Sequence, residues 1–238
     1  MPAQHIVALG GGGFSMEKSP VLDDYILGLA RGDLPRICFV PTASGDSENY
    51  IVRFYRRFTS AACRPSHLEL FRRSVRDLVE FARSQDIFYV GGGNVANLLA
   101  VWRLHGFDQA LRIAHGEGAV LAGVSAGSLC WFEHGVTDSF ADPELSACDG
   151  LGFLAGSHCP HYDGEAERRP AFTRLVQSGM PSGFAADDGA ALHFVDRQLL
   201  RVVSSRPAAR AYHVACMDGE VLERALAADL LAERATST

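Results

Sequence analysis

The stretch that most constrains the fold reads Ala119-Val120-Leu121-Ala122-Gly123-Val124-Ser125-Ala126-Gly127-Ser128-Leu129-Cys130-Trp131-Phe132. It opens as a continuous apolar run of strand length, which suits a strand buried on both faces of a parallel sheet. It then turns through Gly123-Val124-Ser125-Ala126-Gly127 and continues as a short apolar helix. A serine on a sharp strand-to-helix turn crowds its neighbours, so residues with little or no side chain must flank it. Such a turn lifts the hydroxyl clear of the sheet, near the positive end of the helix. The Ala126 N–H then faces a place where negative charge can develop. A serine that merely caps the helix fits the same five residues, and the rest of the chain must separate the two.

Apolar strand runs alternate with amphipathic helical runs along most of the chain. Strands at 5–9, 36–41, 67–71 and 86–90 are interleaved with helices near Ser19-Pro20, from Ser47, over 75–82 and from Val95 onward. This order predicts an α/β fold: a three-layer α/β/α sandwich on a mostly parallel central sheet with right-handed crossovers. Short strands at 190–194, 199–203 and 212–216 read as an antiparallel extension of that sheet near the C-terminus, and 222–235 as a closing helix. No linker, repeat or low-complexity tract interrupts the 238 residues, so one domain over 1–238 is expected.

The net charge of −6 argues against nucleic acid as a partner, and no apolar run is long enough to span a membrane. Met1-Pro2-Ala3-Gln4 leads straight into a strand without a signal-peptide core, which points to the cytoplasm. Six cysteines without CxxC spacing read as reduced, mostly buried thiols.

In open α/β sheets the ligand site lies beyond the carboxyl ends of the strands. Three glycine turns follow strand ends there: Gly10-Gly11-Gly12-Gly13, Gly91-Gly92-Gly93-Asn94 and the serine turn. The first lacks a phosphate-binding pattern and reads as a turn that lets other backbone approach closely. The N–H groups of Gly92 or Gly93 join that of Ala126 as candidate oxyanion donors.

A serine nucleophile needs a base, and the base needs an orienting acid. Strand and helix-end positions account for most of the nine histidines. Of those left, His134 points away at the far end of the short helix. His158 and His161 lie in Gly156-Ser157-His158-Cys159-Pro160-His161-Tyr162, with no second ligand cluster to make a metal site. His161 is preferred as base because Pro160 stiffens its backbone where the strand gives way to loop. Glu133, Asp138, Asp142 and Glu144 all lie between serine and histidine; Asp138 is favoured as acid, with Glu133 the alternative.

Together, Gly91-Gly92-Gly93-Asn94, Gly123-Val124-Ser125-Ala126-Gly127 with Cys130-Trp131-Phe132, Thr137-Asp138-Ser139 and Pro160-His161-Tyr162 resemble the peptidase E family (serine peptidase family S51, clan PC). Cyanophycinase is a more distant relative. The resemblance implies a sandwich like that of class I glutamine amidotransferases and flavodoxin, dipeptidase activity, and a triad of Ser125, His161 and Asp138. It implies a short peptide as the partner and no cofactor or metal. A cyanophycinase-like isopeptidase or amidase, an esterase, and a non-catalytic small-molecule-binding module are the alternatives.

In aspartyl dipeptidases of that family an arginine after the catalytic histidine is expected to hold the substrate's side-chain carboxylate. Here the matching loop is Tyr162-Asp163-Gly164-Glu165-Ala166-Glu167-Arg168-Arg169-Pro170, and the arginine position falls near Glu167. Asn94, Glu167, Arg168 and Arg169 are therefore the candidate substrate contacts. The acidic residues of the loop favour small or neutral N-terminal residues over aspartate.

Overall fold

The apolar runs lie side by side as a sheet. The computed structural model describes residues 2–141 and 143–233. In chain order the elements are β1 (His5–Leu9), α1 (Val21–Leu27), β2 (Arg36–Val40), α2 (Glu48–Arg57), β3 (Arg64–His67), α3 (Leu78–Arg83), β4 (Ile87–Val90), α4 (Val95–His105), α5 (Phe107–Gly116), β5 (Val120–Val124) and α6 (Ala126–Leu129). They continue with β6 (Phe132–Ala141), β7 (Glu144–Asp149), β8 (Leu154–Cys159), α7 (Arg168–Gln177), β9 (Gly183–Ala186), β10 (Ala190–Val195), β11 (Gln198–Ser204), β12 (Ala211–Met217), β13 (Glu220–Leu226) and β14 (Ala228–Leu230).

The main sheet has eight strands in the order β14-β11-β10-β1-β5-β4-β2-β3. β1, β5, β4, β2 and β3 run parallel, whereas β10 runs antiparallel to β1. Side chains alternate across a strand, so β1 feeds both layers. Ile6 and Ala8 join a core with Leu98, Trp102, Phe107 and Leu111 of α4 and α5. Val7 and Leu9 join the opposite core with Leu22, Ile26 and Phe54 of α1 and α2. The three-layer α/β/α sandwich expected from the alternating pattern is the one observed.

The turn after β1 is anchored by Phe14, whose ring lies 5.1–5.7 Å from those of Phe39, Tyr50, Phe54, Phe58 and Tyr89. Burying such a side chain stabilises a fold by about 1.5–3 kcal/mol. The Phe14 N–H donates to Asp23 Oδ1 at 3.2 Å, and Arg57 pairs with the other oxygen of the same carboxylate at 2.9 Å.

Four expectations need correction. The third strand is Arg64–His67 rather than 67–71, because the Asp46 carboxylate accepts the N–H groups of Leu70 and Phe71, both at 2.8 Å, and takes that backbone out of the ladder. The third helix starts later than Val75, at Leu78, where Asp77 caps it by accepting from Val79 N and Glu80 N. The strand at 212–216 does not extend the main sheet. It is β12 of a second sheet, ordered β13-β12-β9-β8-β6-β7. The described part of 222–235 is β13 and β14 rather than a helix, and residues 234–235 lie outside the described residues. Asp218 and Gly219 both have positive φ (52° and 82°), which gives a two-residue turn whose twist matches its strands and folds β13 onto β12. The second sheet docks on the first through Phe132 and Phe184, whose rings lie 5.7 and 5.5 Å from Phe194 of β10. No helix among the described residues is long and apolar enough to cross a membrane.

A partly buried chain of rings links β1, β10 and α1. Tyr25 Oη lies 2.6 Å from His193 Nδ1, and His5 Nδ1 lies 3.0 Å from His193 Nε2. Burial pushes His193 down to about 4 from an ordinary 6.5. Between those values the unfolded chain binds a proton that the folded chain refuses, so His193 contributes stability above pH 6.5 that is lost as pH falls toward 4. Denaturant unfolding at several pH values should therefore give a shallower pH dependence for His193→Gln than for the parent over this window. The difference should approach about 1.4 kcal/mol per pH unit. Equal slopes would show that His193 is not held neutral.

Candidate active site

The carboxyl end of β1 gathers the site. Successive carbonyls at its exit accept from three separate segments: Leu9 O from Ser125 N (3.3 Å), Gly10 O from His161 N (3.2 Å) and Gly11 O from Gly189 N (3.0 Å). β5 lies parallel beside β1, so the turn that follows β5 emerges at this edge. β10 runs the other way, so its beginning, preceded by Asp188, returns to the same edge. His161 follows the end of β8 in the second sheet.

Ser125 sits at φ 58°, ψ −118°, a conformation that costs a non-glycine residue roughly 1–3 kcal/mol. Ser128 N and Leu129 N, each donating to Ser125 O at 2.9 Å, hold it there. Gly123 has to be glycine, because a Cβ would overlap the Gly127 carbonyl. His161 is also left-handed, at φ 54°. Its Nδ1 lies 2.6 Å from Asp188 Oδ1. Gly11 makes room for that pair: a Cβ there would overlap Asp188 Oδ1 and stand 3.0 Å from His161 Nδ1. Among the described residues the Ser125 hydroxyl makes no hydrogen bond.

Two consecutive carboxylates take opposite characters. The hydrogen bond with His161 holds Asp188 below the usual carboxylate range against the opposing effect of burial. Burial pushes Asp187 up to about 6, and its Oδ2 accepts from Arg210 N rather than facing the site. Further contacts fix the Asp188 backbone: its N–H donates to Asp163 Oδ1 (2.8 Å) and its carbonyl accepts from Arg206 Nε (2.7 Å).

Gly91-Gly92-Gly93 leaves β4 beside the elbow, and a Cβ on Gly92 would stand 3.2 Å from Ser125 Cβ. The Gly92 N–H is already engaged, donating to Tyr50 Oη at 3.3 Å. Among the described residues the N–H groups of Gly93 and Ala126 have no acceptor. The second of these opens helix α6, where backbone donors are unsatisfied by construction.

The other expected site residues lie elsewhere. The structure pairs His161 with Asp188, and neither Asp138 nor Glu133 is at the imidazole. Asp138, within β6, faces Arg168 at 3.6 Å, and Glu133 accepts from Gly156 N at 2.9 Å. Asp142 lies outside the described residues, and Glu144 opens the exposed β7. Asn94 is used structurally: its side chain caps α4 by accepting from Asn97 N and donates to Ser139 O, both at 2.8 Å. Arg168 is buried and bonds Val136 O (2.9 Å) and Glu165 (2.6 Å). Arg169 pairs with Glu223 at 3.2 Å and lies over the rings of Tyr162 and Tyr212. Glu167 is exposed at the start of α7 and caps nothing with its side chain. Two acidic residues of this loop are matched by arginines, Asp163 by Arg206 at 2.6 Å and Glu165 by Arg168.

His158 belongs to the scaffold. Burial holds it neutral, down at about 3, and it stacks on Phe132 at 4.7 Å. Its Nδ1–H donates to Phe184 O (3.0 Å), and its Nε2 lies 3.0 Å from the Ser128 hydroxyl, which donates to Ser125 O at 2.8 Å behind the elbow. Cys130 is fully buried, and burial pushes its thiol well above the ordinary value, which leaves Ser125 as the hydroxyl at the turn. Asp188 and Tyr50 escaped the sequence reading. The signal for Asp188 was Asp187-Asp188-Gly189 directly before a strand expected to be antiparallel, since the start of such a strand lies at the carboxyl edge of its parallel neighbours.

Comparison with known proteins identifies the family. The model of peptidase family S51 matches residues 6–202. The uncharacterized peptidase YgaJ of Bacillus subtilis strain 168 is 55% identical over 222 residues, spanning 92% of this chain and 96% of the relative. A peptidase from an acI-B1 actinobacterium shares the fold with a TM-score of 0.71 at 20% identity, over 94% of each chain. A putative peptidase E protein from Listeria monocytogenes EGD-e does so at 0.62 and 16%, over 94% of this chain and all of that one. The chain, with its serine elbow and histidine–carboxylate pair at the carboxyl edge of the sheet, belongs to peptidase family S51.

Proposed function

We propose that this chain is a serine dipeptidase, or a peptidase of very short peptides, in which Asp188 is the triad acid. The observation that carries the reading is the 2.6 Å contact between His161 Nδ1 and Asp188 Oδ1, beside a serine held at positive φ. Ser125 Oγ attacks the scissile carbonyl carbon as His161 Nε2 takes its proton. The Nδ1–H remains with Asp188, whose negative charge stabilises the imidazolium. The N–H groups of Gly93 and Ala126 receive the carbonyl oxygen as its charge develops. Collapse of the tetrahedral species expels the leaving amine, protonated by His161, and leaves an acyl ester on Ser125. Water then hydrolyses the ester with His161 again as base.

The commitments of the arginines support a preference other than strict aspartyl specificity. Arg168, Arg169 and Arg206 each face a protein carboxylate, which leaves no unpaired guanidinium among the described residues of the loop after His161. The expected repulsion is weaker than the loop sequence implies, because Asp163 and Glu165 are paired. Small or neutral N-terminal residues remain the proposed preference, now for want of a grip on aspartate.

A fluorophosphonate probe should label Ser125, and Ser125→Ala should abolish both labelling and dipeptide cleavage. Labelling that survives in Ser125→Ala would remove the serine from its role.

Asp188→Asn should lower kcat/KM on a cleaved dipeptide by about 10³- to 10⁴-fold, the scale of losing the acid from a triad. Asp138→Asn and Glu133→Gln should each cost less than about tenfold, as changes away from the imidazole do. A larger loss for Asp138→Asn than for Asp188→Asn would return the acid role to Asp138.

A further inference from the structure

The wall leading away from the oxyanion loop ends in a cation. Helix α2 follows β2 through the short turn Thr42–Ser44, so its N-terminus lies at the carboxyl edge of the sheet, where the site is. Side chains on a helix lean toward its N-terminus, so long residues in the first two turns reach back toward that edge. Tyr50 does so: it is almost fully buried, and its hydroxyl accepts from the Gly92 N–H beside Ser125. Arg53, one turn later, stacks its guanidinium on the Tyr50 ring at 4.7 Å from the centroid. One N–H of Arg53 donates to Ser15 O at 2.9 Å, and Ser15 in turn donates its hydroxyl to Gly12 O at 2.8 Å. The guanidinium is thus fixed between the turn after β1 and the ring that holds the oxyanion loop.

Arg53 is exposed, and what sets it apart from the other arginines without ion pairs is its place beside the loop that Tyr50 holds. Arg57, Arg168, Arg169 and Arg206 all form ion pairs with carboxylates of the protein. Arg53 forms none among the described residues, and its only hydrogen bond there is to the Ser15 carbonyl. A guanidinium held flat by stacking, with its remaining N–H groups unpaired, presents a fork suited to a carboxylate.

We propose that Arg53 is a specificity-determining residue that binds a carboxylate of the substrate, a role that rests on the peptidase reading. The substrate class it selects is a short peptide with a carboxylate close to the scissile bond. The carboxylate is the free C-terminus of the leaving residue, in keeping with a preference for small or neutral N-terminal residues. This explains how a site on an open sheet edge favours dipeptides over longer chains, since each added residue carries the terminal carboxylate about 3.5 Å further away.

The test is equilibrium binding to Ser125→Ala protein, which needs no turnover. The probes are Ala-Leu, Ala-Leu amide and Asp-Leu amide, measured with Arg53 intact, as Arg53→Lys and as Arg53→Gln, with thermal unfolding as the check on folding. Ala-Leu should bind at least about tenfold more tightly than its amide, as expected for a charge-assisted fork. Arg53→Gln should collapse that ratio toward one, and Arg53→Lys should retain part of it. A preference for Asp-Leu amide over Ala-Leu amide that collapses in the same variants would place an acidic side chain at Arg53 and overturn the C-terminal assignment. Ratios that Arg53→Gln leaves unchanged, or a protein with no carboxylate preference at all, would overturn the role of Arg53. Failure of the fluorophosphonate to label Ser125 would instead strike the peptidase reading itself.

Discussion

The site depends on the backbone at the exit of β1. Leu9, Gly10 and Gly11 offer three consecutive carbonyls, and these accept N–H groups from the elbow, from His161 just beyond β8 and from the turn before β10. Those segments are far apart in sequence and belong to two sheets. Each such hydrogen bond contributes only about 1 kcal/mol net to stability. Their importance is geometric, because they fix the backbones of Ser125, His161 and Gly189 to one short strip of chain. The strip is held in turn by Phe14, buried among five aromatic rings, and by the Asp23–Arg57 pair beneath it. A parallel strand on one side of β1 and an antiparallel strand on the other are what allow a strand end and a strand beginning to meet there.

The oxyanion loop is fastened independently. Asn94 and Val95 are tied to Ser139 of β6, through a 2.8 Å bond to its carbonyl and a 2.9 Å bond to its hydroxyl, while Tyr50 holds Gly92 from the other side. The second sheet therefore reaches the site twice, delivering His161 after β8 and bracing the oxyanion loop through β6. Asp138 neighbours this brace and pairs with Arg168, so its contribution is to the frame around the site.

The parts of this arrangement that local chemistry dictates were legible in the sequence. The apolar run before Ser125 suited a buried strand, and the small residues around the serine suited a sharp turn, as β5 and the elbow show. Pro160 before His161 singled out the histidine that meets Asp188. The glycines after β1 read correctly as a place of close backbone approach, since a Cβ at Gly10 would overlap the Ala186 carbonyl. The acid was not legible in the same way. Asp188 meets His161 because β10 pairs antiparallel with β1, a relation between distant segments that no spacing rule between serine and histidine contains. The second sheet was missed because strands such as β6, β7 and β13 mix exposed with buried or half-buried positions without a continuous apolar run, and the apolar residues at 222–230 suit a helix as well as a strand. The turn at Asp218-Gly219 decides the matter, since two successive residues at positive φ reverse the chain into a hairpin.

The central claim is that Asp188, delivered by β10, holds the imidazole of His161. Proton NMR in water observes this contact directly, because an Nδ1–H hydrogen-bonded to a carboxylate gives a resonance far downfield of the amide region. The account predicts such a signal in the parent protein, retained in Asp138→Asn and absent from Asp188→Asn and from His161→Ala. A signal that survives Asp188→Asn but disappears in Asp138→Asn would contradict it.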